Sequence, residues 1–211
     1  MIGQGVLREC LAAEDVTEVV CVGRTAVGQT HPKLRDVARP NLFDWSDADA
    51  LLRGVDACFY CLGVSSGGMS EAEYSRVTVD LTLALATALK AASPGATFVF
   101  ISGAGTDATE KGSTMWARVK GRAENTLKAM GFRQLFVFRP GYIQPMDGIA
   151  SKTTSYRWMY AVLAPTYPVL KRLFPRVVTS TRQVGLAMLN VTRRGFPKDT
   201  LESDDINLAA G

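Results

Sequence analysis

Thr97-Phe98-Val99-Phe100-Ile101-Ser102-Gly103-Ala104-Gly105 decides the fold, because five β-branched or aromatic positions run without interruption into a serine and two glycines. A strand with one wet face alternates apolar and polar residues; an unbroken apolar run belongs to a strand buried on both faces, as in a parallel sheet. On its N-terminal side, Tyr74, Val77, Leu81, Leu85 and Leu89 recur at three- and four-residue intervals, which predicts a helix over 71–92 stopped by Ser93-Pro94-Gly95. On its C-terminal side, a helix is predicted from about Thr114 to Met130 and another strand over Gln134–Phe138. Further out, Glu18–Gly23 and Ala57–Leu62 read as buried strands, the second ended by Gly63. Ser46 reads as the N-cap of a helix running through Leu51 and Leu52. The first residues form a helix with Val6, Leu7, Cys10 and Leu11 on its apolar side, and a final helix lies near Thr181–Val191 ahead of an acidic tail holding Asp204 and Asp205. Strands alternating with helices, without a hairpin signal, give an α/β fold with a doubly wound parallel sheet.

Composition narrows the function classes. A chain of 211 residues, 47% hydrophobic and 21% charged, buries a real core, and neither repeats nor low-complexity stretches interrupt it. Cys10, Cys21, Cys58 and Cys61 lie in apolar stretches without the histidines or second cysteine pair of a zinc site, so reduced buried thiols and no metal are expected. The Cys58-x-x-Cys61 pair falls on a strand, whereas redox pairs open a helix. His31 stands alone before Pro32, too few members for a nucleophile triad or metal cluster. Without a signal peptide or disulfide framework, a cytoplasmic protein is expected.

Charge is unevenly spread: residues 111–194 hold 15 Lys/Arg against 2 Asp/Glu, while residues 1–110 hold 8 against 14. Such a block reads as a solvated face or as one that meets an anionic partner; with little aromatic interleaving, nucleic acid is not expected. Residues 150–180 carry Trp158, Met159, Tyr160, Val162, Leu163, Tyr167, Leu170, Leu173 and Phe174, broken by Pro165, Pro168 and Pro175. The segment is too interrupted to span a bilayer. A small helical cap over the sheet edge is expected there, the alternative being an interfacial helix with Lys171 and Arg172 toward lipid.

Ligands of doubly wound sheets sit at the carboxyl ends of the strands. Arg24 follows the Glu18–Gly23 strand, about 20 residues beyond Gly3, where dinucleotide folds place the residue that reads the adenosine ribose. An acidic residue there suits NAD(H), an arginine the 2′-phosphate of NADP(H), so NADP(H) is favoured over NAD(H).

Gly23-Arg24-Thr25, Cys61-Leu62-Gly63, Ile101-Ser102-Gly103-Ala104-Gly105, Val119-Lys120-Gly121 and Phe138-Arg139-Pro140-Gly141 occur in the order of one family. Through them the chain resembles the atypical short-chain dehydrogenase/reductases, in their NAD(P)-binding, epimerase/dehydratase-like branch with the Tat-interacting-protein type of oxidoreductase-like proteins. The resemblance covers roughly residues 1–145. It implies an NAD(P)-binding Rossmann domain over 1–145, with residues 146–211 as helical cap and C-terminal segment packed on the same domain. Of the family's first strand and glycine loop, only the last glycine, Gly3, is matched, so a sheet lacking its first strand and open beside that place is expected. By the same resemblance Asp44 and Trp45 flank the adenine, with capping as the competing role for Asp44. Leu62 and Gly63 line the adenosine side, Pro140 and Gly141 the nicotinamide side, and Lys120 holds the ribose.

The family's catalytic set is serine, tyrosine and lysine. Ser102 and Lys120 match two of these, and Trp116 stands one turn before Lys120, where the tyrosine belongs. An indole N–H donates a hydrogen bond but does not exchange protons near neutral pH. Two functions follow: an NADP-dependent oxidoreductase or epimerase/dehydratase-like enzyme, with Tyr142 as a substitute phenol near the substrate, or a redox-inactive cofactor sensor or interaction module with a protein partner. A homodimer is the default assembly.

Overall fold

In the computed structural model, which describes residues 1–149, 172–174 and 176–211, every ladder is parallel. Strands β3 (Ala57–Tyr60), β4 (Thr97–Ile101), β5 (Gln134–Arg139) and β8 (Thr200–Glu202) form one sheet in that order. β1 (Val19–Gly23) and β2 (Leu34–Ala38) form a second, with Val19 opposite Leu34 and Gly23 opposite Ala38, and β6 (Tyr142–Gln144) pairs with β7 (Val178–Ser180). β1 and β3 each keep one edge without a strand among the described residues, which is the opening the sequence leads one to expect. β1 is accordingly half-buried along its whole length, whereas β4, with partners on both sides, is buried at every residue.

β4 shows why an unbroken apolar run is needed. Successive side chains point to opposite faces. Phe98 and Phe100 enter one core with Tyr60, Leu89, Val119 and Leu127, while Val99 and Ile101 enter the other with Phe136, Phe138, Val6, Val184 and Met188. Helices α2 (Asp49–Leu52), α3 (Glu71–Ser75), α4 (Leu81–Ala92) and α5 (Met115–Ala129) cover the first face. α1 (Ile2–Ala12), α6 (Thr181–Arg194) and α7 (Ser203–Ala209) cover the second.

The long helix over 71–92 is present, but it passes through a π turn, Arg76–Asp80, between α3 and α4. A capping box opens it: Ser70 Oγ accepts from the Glu73 amide at 3.3 Å and the Glu73 carboxylate accepts from the Ser70 amide at 2.8 Å. The cap expected at Ser46 is displaced. Ser46 donates its amide and hydroxyl to the Asp44 carboxylate at 3.0 and 2.7 Å, forming a turn, and α2 starts at Asp49 with Ala48 as its N-cap. Nor is the C-terminal acidic stretch a solvated tail. It supplies β8 and α7, with Leu201 and Ile206 fully buried and Asp205 accepting from the Glu202 amide at 3.3 Å.

Distant pairing also resolves the charge imbalance. Arg118 and Arg122 on α5 reach Glu71, Arg122 also reaches Glu110, Arg139 reaches Glu124, and Arg182 and Arg193 reach Asp147 and Asp15. Much of the basic block is thus neutralised within the fold. The expected cap and interfacial helix, Trp158 to Leu170 with Lys171, lie outside the described residues; Arg172, Leu173 and Phe174 are exposed. No helix among the described residues is long and apolar enough to cross a membrane.

α1 crosses α6 at two glycines. A Cβ on Gly5 would lie 2.7 Å from Thr181 Cβ and 2.8 Å from its carbonyl oxygen, and one on Gly185 would lie 2.7 Å from Glu9 Cγ. Gly5→Ala, pressed against backbone, is expected to destabilise the protein by about 1–3 kcal/mol. Gly95→Ala, where nothing would lie within 4 Å, should be nearly neutral; urea denaturation midpoints of the two variants check this.

Candidate functional site

Because the strands are parallel, the residues that follow β1, β2, β3, β4 and β5 leave the sheets at carboxyl ends, and Arg24, Leu62, Gly63, Ser102, Pro140 and Gly141 fall there. Gly3 is in the first turn of α1, where a Cβ would sit 3.4 Å from Cys61 Cβ, so that helix end meets the end of β3. The first turn of α1 holds no acidic side chain. Amide N–H groups at such an end, with the helix dipole, suit an anion. Leu62 and Gly63, just past β3, are exposed, and nothing would lie within 4 Å of a Cβ on Gly63. Arg24 is exposed beyond β1 and has no ion-pair partner among the described residues.

The structure brings Ser102, Trp116 and Lys120 together. Ser102, at the end of β4, is buried; its Oγ lies 3.0 Å from Thr106 Oγ1, which donates to the Gly103 carbonyl at 2.8 Å, leaving Ser102 as donor between the hydroxyls. The Trp116 ring lies beside the loop, 3.9 Å from a Cβ on Gly103 and 3.7 Å from one on Gly105. Lys120 Nζ reaches the Ile101 carbonyl at 3.4 Å and stands 5.7 Å from the centroid of the Phe100 ring. Pro140 joins them, its carbonyl accepting from the Ala104 amide at 3.0 Å, and Gly141 donates its amide to Ser203 Oγ at 2.9 Å.

Other side chains are engaged elsewhere. Asp44 is exposed and accepts from Ser46 in a local turn rather than capping α2, whose N-cap is Ala48, and these bonds keep its carboxyl below the usual carboxylate range. Trp45 is buried, donating Nε1–H to the Leu42 carbonyl at 2.7 Å beneath the Arg39 guanidinium. The Tyr142 hydroxyl donates to Gln144 Oε1 at 2.6 Å. The cysteines are free thiols, and burial pushes Cys10 and Cys58 up to about 12. Among the described residues no group of three or more His, Cys, Asp or Glu could hold a metal ion.

Sequence reasoning missed the groups that support this set. Glu124, fully buried on α5, grips Arg139 on β5 through bonds of 3.0 and 2.5 Å. Gly121 belongs to a motif quoted from the sequence, but its reason is visible only in the fold: any Cβ there would overlap the Asp107 carbonyl, so a glycine lets the loop after β4 lie directly on α5. Thr106 was missed because a threonine in a glycine-rich loop carries no spacing signal.

No family model matches the chain. Among curated proteins, "Protein FMP52, mitochondrial" of Chaetomium globosum is 29% identical over 147 residues, covering 68% of this chain and 62% of that protein. "Protein fmp52, mitochondrial" of Emericella nidulans is 28% identical over 150 residues, covering 68% and 63%. The chain spans less than two thirds of the length of these relatives. Their names overturn the expectation of a cytoplasmic protein, because the absence of a recognisable leader in the sequence does not report location. Among solved structures, a short-chain dehydrogenase/reductase family oxidoreductase from Burkholderia thailandensis superposes with a TM-score of 0.65 at 16% identity, covering 99% of this chain and 89% of that one. A UDP-N-acetylglucosamine 4-epimerase from Bacillus cereus gives 0.61 at 14% identity, covering 96% and 74%. The fold is therefore the Rossmann-like one of short-chain dehydrogenase/reductase and epimerase structures, as the sequence resemblance implies.

Burial costs the Lys120 ammonium dearly. Desolvation, against the weaker pull of Glu124, lowers it from 10.5 to about 8. Between these values the unfolded chain binds the proton that the folded chain has lost, so stability rises with pH across that window, and below about 8 the full cost of ~3 kcal/mol is present. Lys120→Met is expected to be more stable than the native chain at pH 7, with the gap closing toward pH 10; urea midpoints of both proteins at each pH check it.

Proposed function

We propose that this chain binds a nicotinamide dinucleotide along the carboxyl edge of its sheets, NADP(H) in preference to NAD(H), as an oxidoreductase-like or epimerase/dehydratase-like protein. The observation that carries the reading is the meeting of the first turn of α1 with the end of β3, on the same edge as Ser102, Trp116 and Lys120. In this reading the first amides of α1 at Gly3 receive the pyrophosphate and Leu62-Gly63 line the adenosine. The loop at Asp44 and Trp45 flanks the adenine through its backbone, since the side chains are otherwise engaged. Arg24 takes the 2′-phosphate, Lys120 the nicotinamide ribose, and Pro140 and Gly141 pack near the nicotinamide. A bound nicotinamide supplies hydride exchange. Ser102, at the end of β4, meets a substrate oxygen, and Tyr142, whose hydroxyl donates to Gln144 Oε1, is the substitute phenol of the enzyme reading. The same reading takes the chain to the mitochondrion, where the names of its relatives put those proteins.

Calorimetric titration tests the cofactor. NADPH is expected to bind more tightly than NADH, and Arg24→Ala to weaken NADPH about 10-fold while leaving NADH unchanged, the size of one charge-assisted hydrogen bond. Equal affinities in the native chain would overturn the preference, and no binding of either nucleotide would overturn the reading.

Trp116 favours a second reading, in which the protein reports cofactor state to a protein partner without turning over. Its indole lies at the site beside Gly103 and Gly105 and is a hydrogen-bond donor too weakly acidic to give up its proton near neutral pH. Native protein should then bind NADPH yet leave it unoxidised with a panel of small aldehydes and ketones, and Trp116→Tyr should raise NADPH oxidation at least about 10-fold, at the low end of what a positioned general acid supplies. Turnover in the native chain that Trp116→Tyr does not raise would count against it.

A further inference from the structure

We propose that Lys120 is a nucleophile toward small aldehydes and ketones, capturing the carbonyl carbon as an imine, because its amine faces the Phe100 ring with one long hydrogen bond while the nearby acceptors are committed elsewhere. Among the described residues Nζ makes one long hydrogen bond, 3.4 Å to the Ile101 carbonyl, and faces the Phe100 ring. Glu124, one turn further along α5, spends both carboxylate oxygens on Arg139. The Ser102 hydroxyl is turned to Thr106. Trp116, one turn earlier, is a donor only and has no lone pair to offer an ammonium. The charged group that acts on Lys120 is Glu124, itself joined in one cluster with Arg139 on β5 and Glu202 on β8; β4, which Lys120 lies against, carries none.

Those surroundings hold the amine at about 8. At pH 7.5 roughly a quarter of it is then the free base, against about 0.1% for an ordinary surface lysine, which is the condition under which lysines in apolar pockets attack carbonyls. In the step itself the nitrogen lone pair forms a C–N bond to the carbonyl carbon. The carbonyl oxygen departs with the two amine protons as water, and nothing is oxidised or reduced. The proposal stands apart from dinucleotide binding, although both draw on Lys120.

The test uses the full chain, benzaldehyde at pH 7.5 and sodium borohydride to fix any imine, followed by peptide mass mapping. A reduced benzyl adduct is expected on Lys120 at least about 10-fold above Lys33, Lys90, Lys111, Lys128 and Lys198, rising in extent from pH 6 to pH 8.5. Lys120→Arg, checked by thermal melting, should lose that adduct and keep the faint surface labelling. Labelling spread evenly over the surface lysines, or an unmodified Lys120, overturns the proposal, and the native map alone suffices for this. With NADPH present, protection of Lys120 supports both readings, whereas NADPH binding without protection leaves imine formation standing and removes Lys120 from the cofactor site.

Discussion

The Glu124–Arg139 pair is the interaction on which the site's arrangement rests. A fully buried carboxylate is tolerable only with a close partner, and Arg139 provides one through two bonds while also reaching Glu202 at 3.7 Å. Three elements are thereby tied at one point: α5, β5 and the late-arriving β8. Removing either partner strands a charge in the core, which is how a single pair fixes the register of a helix against a sheet. It also decides the electrostatics one turn away, since Glu124, satisfied by Arg139, has little left with which to hold Lys120 charged.

The sheet's apolar runs were legible because burial on both faces leaves no room for polar residues. β4 and β5 could be read almost to the residue, and so could α1, whose Val6, Leu7, Cys10 and Leu11 share one face. β2, Leu-Arg-Asp-Val-Ala, was not legible: an edge strand half open to water carries polar residues and imitates a loop. β8 is three residues long and pairs with β5 from a distance of more than sixty positions, so nothing local announces it. The basic block is hard to read for a related reason, as partners such as Glu71 and Asp15 lie far away along the chain.

At the site, the family resemblance named Ser102, Trp116 and Lys120, and the fold sets them near one another because i and i+4 on α5 share a face and the end of β4 adjoins that face. What spacing could not convey was commitment: that Asp44 is turned to Ser46, Trp45 to Leu42 and Tyr142 to Gln144. Such pairings depend on loop paths. Gly121 and Gly5 belong to the same class, since the reason for a glycine in a helix is the backbone or side chain that presses on it from elsewhere.

The division of the strands into separate ladders has a consequence for motion. β1 and β2 are hydrogen-bonded to each other but not to β3, and they are tied to the rest by packing against α1 and by contacts such as Lys33 Nζ to the Ala13 carbonyl at 2.6 Å. Their amides are therefore protected by a smaller cooperative unit than those of β4, whose two ladders open only with the core. Arg24 rides on that smaller unit and Lys120 on the larger one. A ligand that touches both would stitch two bodies of unequal rigidity, and the order it imposed on the looser one would be felt as slowed exchange along β1 well before any change reached β4.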